Sequence, residues 1–239
     1  MSFASLIWLA ACGGEGQGSL QFAVIAADRG AAESLGPSRI LPFGDSITFG
    51  MGYEGGYRIE LFRQALEAGR SITFLGSQRN GPEQVDDVSF PQQHEGHGGL
   101  RIDQLMPLVP LLASPEAPDI VLLMAGTNDI GQEHDEADAP ERLGQLIDQL
   151  TEALPDALVV VAKLTPLETH ASGVIAFNDA LDAVLELRSD EHVELVDMFA
   201  GFPETELGDG VHPTAAGYER MAHVWYEAIC DRLRATTSP

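Results

Sequence analysis

Basic side chains are scarce in this sequence. Lysine and arginine together number 13, against 37 aspartates and glutamates, and the formal net charge is -24. Lys163 is the one lysine. Such a balance argues against nucleic acid and anionic membranes as partners, because their phosphates would be repelled over most of the surface. The composition fits a secreted protein and a salt-adapted protein equally.

Long apolar runs and cysteines are also scarce. No run reaches the ~20 apolar residues of a bilayer-spanning helix, which predicts a soluble domain without a membrane span. With 239 residues, 44% of them hydrophobic, the chain can build one well-packed domain. The two cysteines are Cys12 and Cys230. Cys230 lies in an apolar helical pattern typical of a buried small side chain, and no pattern favours a disulfide to Cys12.

The first residues, "MSFASLIWLAAC", are typical of a clipped export signal, although they carry no basic start. Leu9-Ala10-Ala11-Cys12 resembles the lipobox of bacterial lipoproteins, in which the cysteine carries a lipid anchor. The glycine-rich stretch that follows would then be a flexible tether. An unstructured start with no targeting role is the alternative. We therefore predict a segment 1–38 outside the fold, a domain over 39–239, and an exported protein, with the cytoplasm left open.

From residue 39 onward, β-like runs alternate with helical periodicity. Several runs, such as "IVLLMAG", are almost continuously apolar, as parallel strands covered on both faces are. Helical stripes of apolar residues lie between them. This alternation predicts a three-layer α/β/α sandwich around a five-stranded parallel sheet. The predicted strands are Arg39–Phe43, Ser71–Leu75, Asp119–Ala125, Leu158–Leu164 and Val193–Met198.

Four polar clusters stand where ligands bind in such folds, beyond the carboxyl ends of the strands. They are "GDSIT" (44–48), "GHGG" (96–99), "GTND" (126–129) and "DGVHP" (209–213). Each has an ordinary explanation when taken alone. Ser46 could cap a helix, Asn128 could hold a turn, Gly99 could supply a positive φ, and Asp209 and His212 could be an exposed loop pair.

Together, the four clusters supply every part of an acyl-transfer site. Ser46 is the predicted nucleophile and His212 the base, since imidazole is the side chain best matched to neutral pH. Asp209, three residues before His212, would orient the imidazole. The predicted oxyanion donors are the backbone N–H groups of Ser46 and Gly99 and the side-chain amide of Asn128. This chemistry calls for no metal and no cofactor.

These blocks resemble the SGNH hydrolases, the superfamily of GDSL-type esterases. The motif is not G-x-S-x-G, since Thr48 stands at its last position, and the Asp–His spacing of three is tighter than in α/β-hydrolases. The superfamily's four named residues correspond to Ser46, Gly99, Asn128 and His212. The resemblance implies a flavodoxin-like sheet with strand order 2-1-3-4-5, hydrolysis of carboxylic esters and no catalytic metal.

A narrower resemblance is to the acetylxylan-esterase branch, carbohydrate esterase family three. It is carried by "GGYRIEL" (55–61), "FLGSQ" (74–78), "HEGHGG" (94–99), "VAKLTPL" (161–167) and "DGVHPTAAGYERMAHVWYEAI" (209–229). Leu100 departs from the pattern, because many members carry Trp there. The resemblance implies deacetylation of xylan or another acetylated carbohydrate through an acyl-serine. Alternatives are an arylesterase, lysophospholipase or thioesterase of the same fold, and a carbohydrate-binding or surface-display protein with an idle site.

Three further features carry weaker signals. His94 and His97 flank Glu95, but the pattern is not H-E-x-x-H and we predict no metal there. The acidic run 129–140 is typical of a solvated loop; it could also border the site and disfavour anionic esters, or hold a structural Ca²⁺. Arg58 and Arg101 are assigned to paired surface or helix roles outside the site. The oligomeric state is left open.

Overall fold

The computed structural model describes residues 36–112, 117–188 and 192–236. The fold lies within the unit Gly36–Pro239. Cys12 and nearly all of the predicted segment 1–38 lie outside the described residues, so the lipid anchor and the export signal stay predictions. No helix of the described residues has the length and apolar character needed to cross a membrane.

All five predicted runs form strands of one sheet, and each pairs in parallel with its neighbour among the five. The third and fourth of these runs are buried at every strand position, as strands covered on both faces must be. Their bounds are β1 (Ser38–Gly44), β2 (Ile72–Phe74), β3 (Gln78–Arg79), β4 (Gln84–Val85), β5 (Val88–Ser89), β6 (Gln93–Gly96), β7 (Ile120–Met124), β8 (Leu158–Ala162) and β9 (Val193–Val196).

The order of the five predicted strands is β2-β1-β7-β8-β9, with every neighbouring pair parallel. In chain order of those five runs this is 2-1-3-4-5, so the flavodoxin-like topology is confirmed. The carboxyl ends of β1, β7, β8 and β9 therefore meet at one edge of the sheet, where the fold directs its ligands.

The predicted count of five strands is wrong, because the sheet has seven. β2 pairs with the first half of β1, and β6 pairs in parallel with its last two residues, Phe43 and Gly44. β3 runs antiparallel outside β6. The sequence of β6, "QHEG", has no apolar run that would indicate a strand. Its His94 and Glu95 are nevertheless buried, with hydrogen bonds in place of apolar packing.

The helices bury the apolar stripes seen in the sequence. Helix α2 (Tyr57–Glu67) packs on α8 (Ala215–Ile229), and α6 (Ala139–Ala153) packs on α7 (Ala171–Glu186), which completes the predicted α/β/α sandwich. Trp225 and Met221 of α8 are fully buried, as is Leu146 of α6, and Cys230 is buried as predicted. The helices are α1 (Ser46–Phe49), α2 (Tyr57–Glu67), α3 (Ile102–Leu105), α4 (Val109–Leu112), α5 (Thr127–Gly131), α6 (Ala139–Ala153), α7 (Ala171–Glu186) and α8 (Ala215–Ile229).

Candidate active site

Ser46 is the first residue of the short helix α1, directly beyond the end of β1. The capping role belongs to Asp45, whose Oδ1 accepts a hydrogen bond of 2.9 Å from the N–H of Ile47. The Ser46 hydroxyl is therefore not used as a helix cap. Gly44 permits the turn, because a Cβ there would lie 2.1 Å from the carbonyl oxygen of Met124 on the neighbouring strand.

Ser46, His212 and Asp209 form a continuous chain of hydrogen bonds, although 166 positions separate the serine from the histidine. His212 Nε2 lies 2.9 Å from Ser46 Oγ, and His212 Nδ1 lies 2.8 Å from Asp209 Oδ2. Asp209 Oδ1 also accepts the backbone N–H groups of Val211 and His212, at 3.1 and 2.8 Å. The tight Asp–His spacing thus lets one carboxylate shape the loop and orient the imidazole.

The Asp209 carboxylate is held in its charged form. Partial burial alone would raise its pKa, but the hydrogen bonds from the His212 ring and from two backbone N–H groups lower the pKa to about 2. A negative charge therefore stands beside Nδ1 across the neutral pH range. It fixes a proton on Nδ1 and leaves Nε2 to face Ser46 as an acceptor.

The pKa of Asp45 is shifted in the opposite direction from that of Asp209. Asp45 is fully buried, and burial raises its pKa from 3.8 to about 6, against the lowering effect of the hydrogen bond from Ile47. The folded protein therefore holds this proton more tightly than the unfolded chain does. The carboxyl opposes folding fully above about pH 6 and does not affect it below about pH 3.8.

Asp45→Asn is expected to raise the free energy of unfolding at pH 7.5 by roughly 3 kcal/mol and to change it far less at pH 4. Asparagine caps a helix as well as aspartate does, so the cap is kept. Urea denaturation at the two pH values, with the exposed Asp156→Asn as control, measures the difference. An effect of equal size at both pH values would contradict the claim that the raised pKa of Asp45 lowers stability near neutral pH.

The three residues that carry the predicted oxyanion donors line one cavity. Within the described residues, the backbone N–H groups of Ser46 and Gly99 have no hydrogen-bond acceptor. Asn128 Nδ2 donates one hydrogen to the carbonyl oxygen of Leu100 at 3.0 Å, which leaves its second hydrogen available. A Cβ built on Gly98 would lie 3.8 Å from the Cβ of Ser46, so the 98–99 segment passes directly beside the serine.

Helix α5 holds this glycine segment in place. Gln132 Nε2 donates to the carbonyl oxygen of Gly99 at 3.0 Å, in the same way as Asn128 holds Leu100. Asp129, which is fully buried, accepts the N–H of Ile102 at 3.0 Å. Arg142 pairs with Asp129 at 2.8 Å. The "GTND" block therefore contributes one candidate donor and also anchors the loop that carries another.

Glu95 forms a second buried network beside the same loop. Its carboxylate accepts the N–H of Ser77 at 2.7 Å and the Ser77 hydroxyl at 2.9 Å, and it lies 2.6 Å from His97 Nε2. Burial, and then the nearby charges of Arg58 and His97, lower the pKa of His94 to about 3. His94 and His97 thus each form a hydrogen bond within the protein, which the local sequence did not indicate.

Of the surface and helix roles predicted for Arg58, the surface role is wrong, because Arg58 lies on α2 with its side chain fully buried. It donates to the carbonyl oxygens of Gln92 at 3.1 Å and Phe49 at 3.4 Å, and to the side chain of Asn80. Arg58 therefore ties the end of α1 to the 80–92 segment. Arg101 has the paired role that was predicted, with Asp103 at 3.1 Å.

The candidate residues open into one cavity of about 340 Å³. Ser46, Gly99, Asn128 and His212 all line it. Leu100, at the position where many family members carry Trp, is not among the residues that line the cavity. Its side chain packs against the hydrophobic core. The cavity combines polar and apolar side chains beyond those four: Met51, Thr127, Gln132, Leu167, Thr169, His170 and Val211.

The fold and this serine at the carboxyl end of the first strand define the class of SGNH-type hydrolases. Residues 43–220 match the GDSL-like Lipase/Acylhydrolase family. The chain therefore belongs to that family.

Two solved structures share both the fold and part of the sequence. A family 3 carbohydrate esterase from Clostridium thermocellum is 31% identical, with a TM-score of 0.71 over 81% of this chain and 96% of that one. A carbohydrate esterase family 3 protein from Talaromyces cellulolyticus is 25% identical, with a TM-score of 0.72 over 81% and 97%. The chain is thus similar to the branch of the family that the sequence motifs indicated.

A curated relative is far longer than this chain. A multidomain esterase from Ruminococcus flavefaciens is 32% identical over an aligned length of 238 residues, and the match covers 87% of this chain but 30% of that protein. The similarity therefore concerns one part of the relative.

Proposed function

We propose that this protein removes acetyl groups from acetylated carbohydrate, above all xylan or xylo-oligosaccharide, through an acetyl-Ser46 intermediate. The observation that carries the proposal is the chain from Ser46 to His212 to Asp209, which ends in a cavity beside three candidate donors. The similarity to two family 3 carbohydrate esterases supports the choice of substrate.

In the first half-reaction, Ser46 Oγ attacks the carbonyl carbon of the acetyl ester while its proton passes to His212 Nε2. The new imidazolium is stabilised by the Asp209 carboxylate. The oxyanion of the tetrahedral intermediate accepts hydrogen bonds from the N–H groups of Ser46 and Gly99 and from Asn128 Nδ2. The C–O bond to the sugar then breaks, and the sugar oxygen takes the proton from His212.

The second half-reaction repeats these roles with water. His212 Nε2 takes a proton from a water molecule, whose oxygen attacks the acetyl carbon. The same donors hold the oxyanion. When the bond to Ser46 Oγ breaks, His212 returns the proton to the serine, and acetic acid leaves as acetate and a proton.

The proposal is tested by measuring acetate release from a panel of esters. The panel contains acetylated xylan, acetylated xylo-oligosaccharides, an aryl acetate, a lysophospholipid, a thioester and acyl esters of increasing chain length. We expect the highest kcat/KM on the acetylated sugars. A clear preference for the lysophospholipid, the thioester or the longer acyl chains would replace the carbohydrate proposal with that activity on the same fold.

The acidic run 129–140 borders the cavity, and this location favours neutral esters over phospholipids. Gln132 lines the cavity, and Glu133 lies 3.7 Å from Nε2 of the cavity-lining His170. Exposed carboxylates repel an anionic ester over a Debye length of ~10 Å at 0.1 M salt. We therefore propose that this run selects against negatively charged substrates.

Replacing Glu133, Asp135, Glu136 and Asp138 by Gln or Asn is expected to raise kcat/KM on an anionic acetyl ester several-fold at low salt. The gain is expected to shrink in 0.5 M NaCl because the charges are then screened. A neutral acetyl ester of similar size serves as the control and is expected to change little. If both esters respond equally at every salt concentration, the run does not select by charge.

An extracellular polymer as substrate requires an exported enzyme. We therefore propose that the N-terminal segment directs export and that Cys12 is a candidate for lipid attachment. Mass spectrometry of the protein isolated from its source would show a diacylglyceryl-modified Cys12 if the lipobox is used.

A further inference from the structure

Two large apolar side chains are exposed on the loop that directly follows the helix of Ser46. Met51 is 42% exposed and Tyr53 is 41% exposed. Within the described residues, few large hydrophobic side chains are exposed to this extent, and these two lie on a single seven-residue loop, 50–56. Apolar groups left in water beside a binding cavity are typical of a ligand-binding surface.

The loop is fixed by its own backbone. Met51 N–H donates to the carbonyl oxygen of Ser46 at 2.9 Å, and Gly56 N–H donates to that of Tyr53 at 2.7 Å. Gly50 has a φ of +91°, and a Cβ there would lie 2.6 Å from the backbone nitrogen of Gly56. The loop therefore holds Met51 and Tyr53 in position before any ligand arrives, which lowers the entropy cost of binding.

Tyr218 contacts both residues, through the backbone of Met51 and the ring of Tyr53. Its hydroxyl donates to the carbonyl oxygen of Met51 at 3.0 Å. Its ring stacks on that of Tyr53, with centroids 6.3 Å apart and planes 25° from parallel. Tyr218 is itself buried, so Tyr53 stands on a fixed base while a large part of its surface stays in water.

We infer that Met51 and Tyr53, here called the 51–53 platform, bind the sugar ring of the ester and so determine substrate specificity. The inference rests on the proposed function and adds a binding surface to it. Met51 lines the same cavity as Ser46 and Gly99, which places the start of the platform at the reacting serine. When the acetyl group of the ester lies next to Ser46, the alcohol part of the ester must lie farther out, toward the rim of the cavity.

A pyranose ring fits this surface by its chemistry. One face of the ring carries axial C–H groups, which pack on an aromatic face because the ring quadrupole is negative there. Its hydroxyl groups point outward from the ring edge and stay hydrated or reach polar cavity residues such as Gln132 and His170. A small linear alcohol has no such face and gains little from Tyr53.

The test compares Tyr53→Ala with the unmodified enzyme on an acetylated xylo-oligosaccharide and on ethyl acetate. We expect KM for the sugar ester to rise about five- to tenfold, with kcat nearly unchanged and kcat/KM on ethyl acetate within about twofold. Tyr53→Phe keeps the ring and is expected to retain the sugar KM. Leu187→Ala, which removes another exposed apolar side chain, is the matched control.

The outcomes distinguish the proposed function from the inferred role of the 51–53 platform. If the unmodified enzyme hydrolyses ethyl acetate but not the sugar ester, the proposed substrate is wrong, and the inferred role of the 51–53 platform is overturned as well. If the enzyme hydrolyses the sugar ester and Tyr53→Ala changes KM equally for both substrates, or for neither, only the platform is overturned. A loss of sugar affinity in Tyr53→Phe as large as in Tyr53→Ala would also overturn it, because the aromatic ring is still present.

Discussion

Ser46→Ala is expected to lower kcat by about a millionfold, the largest effect of any single substitution in this protein. Without the hydroxyl there is no covalent intermediate, and His212 has no nucleophile to deprotonate. The remaining activity would come from the donors and from substrate binding alone. Steady-state acetate release, with enzyme at high concentration to detect slow turnover, measures the loss.

The fold of Ser46→Ala is expected to stay intact. Ser46 is buried, and its hydroxyl forms one hydrogen bond within the part of the chain that the structure describes, to His212. The free energy of unfolding should therefore change by about 1 kcal/mol or less. Ser89→Ala, on the exposed strand β5, is a control that should keep full activity. Activity in Ser46→Ala within a hundredfold of the unmodified enzyme would remove the serine from the mechanism.

Asp209→Asn is expected to lower kcat by about ten-thousandfold, with little change in KM. An asparagine amide can donate a hydrogen bond to Nδ1, which favours the imidazole tautomer with its proton on Nε2, the atom that must accept the serine proton. The substitution also removes the negative charge that stabilises the imidazolium. Comparison of kcat and KM on one acetyl ester measures both effects.

Asp197→Asn is the matched control for Asp209→Asn. Asp197 Oδ1 accepts the backbone N–H groups of Phe199 and Ala200 at 2.8 and 2.9 Å, much as Asp209 accepts those of Val211 and His212. It shares the turn geometry but has no histidine partner in the site. Equal losses in the two variants would mean that Asp209 acts through the shape of its loop and not through His212.

The central part of the fold was predictable because its pattern is local. β7 and β8 are runs of aliphatic residues long enough to form buried strands, and α8 repeats its apolar residues at helical spacing. The alternation of strands and helices then predicted a parallel sheet, and the resemblance to the SGNH hydrolases implied its strand order. The order then placed "GDSIT" and "GTND" at the same edge of the sheet.

The buried polar contacts were not predictable, because their partners are distant in sequence. β6 has no apolar run, and its buried Glu95 accepts hydrogen bonds from the backbone N–H and the hydroxyl of Ser77, 18 positions away. Arg58 was expected to have a paired surface or helix role, and its burial was missed for the same reason. Its acceptors are backbone carbonyl groups up to 34 positions away, and no local pattern indicates them.

The site shows the same division between local and distant contacts. The order and spacing of the four blocks predicted Ser46 and His212, which the structure brings within 2.9 Å of each other. The sequence left open whether Ser46 or another residue caps α1, and the structure gives the cap to Asp45. The role of Gln132 in holding Gly99 was missed, since a glutamine in an acidic run carries no distinguishing signal.

Covalent labelling by a p-nitrophenyl alkylphosphonate tests the reactivity of the serine most directly. The reagent carries the tetrahedral geometry of the ester intermediate and forms a stable bond only with an activated nucleophile. We expect one adduct per chain, mapped by peptide mass spectrometry to Ser46, and labelling at least a hundredfold slower in His212→Ala. Labelling of Ser46→Ala at the rate of the unmodified enzyme, or an adduct on any other residue, would contradict the mechanism.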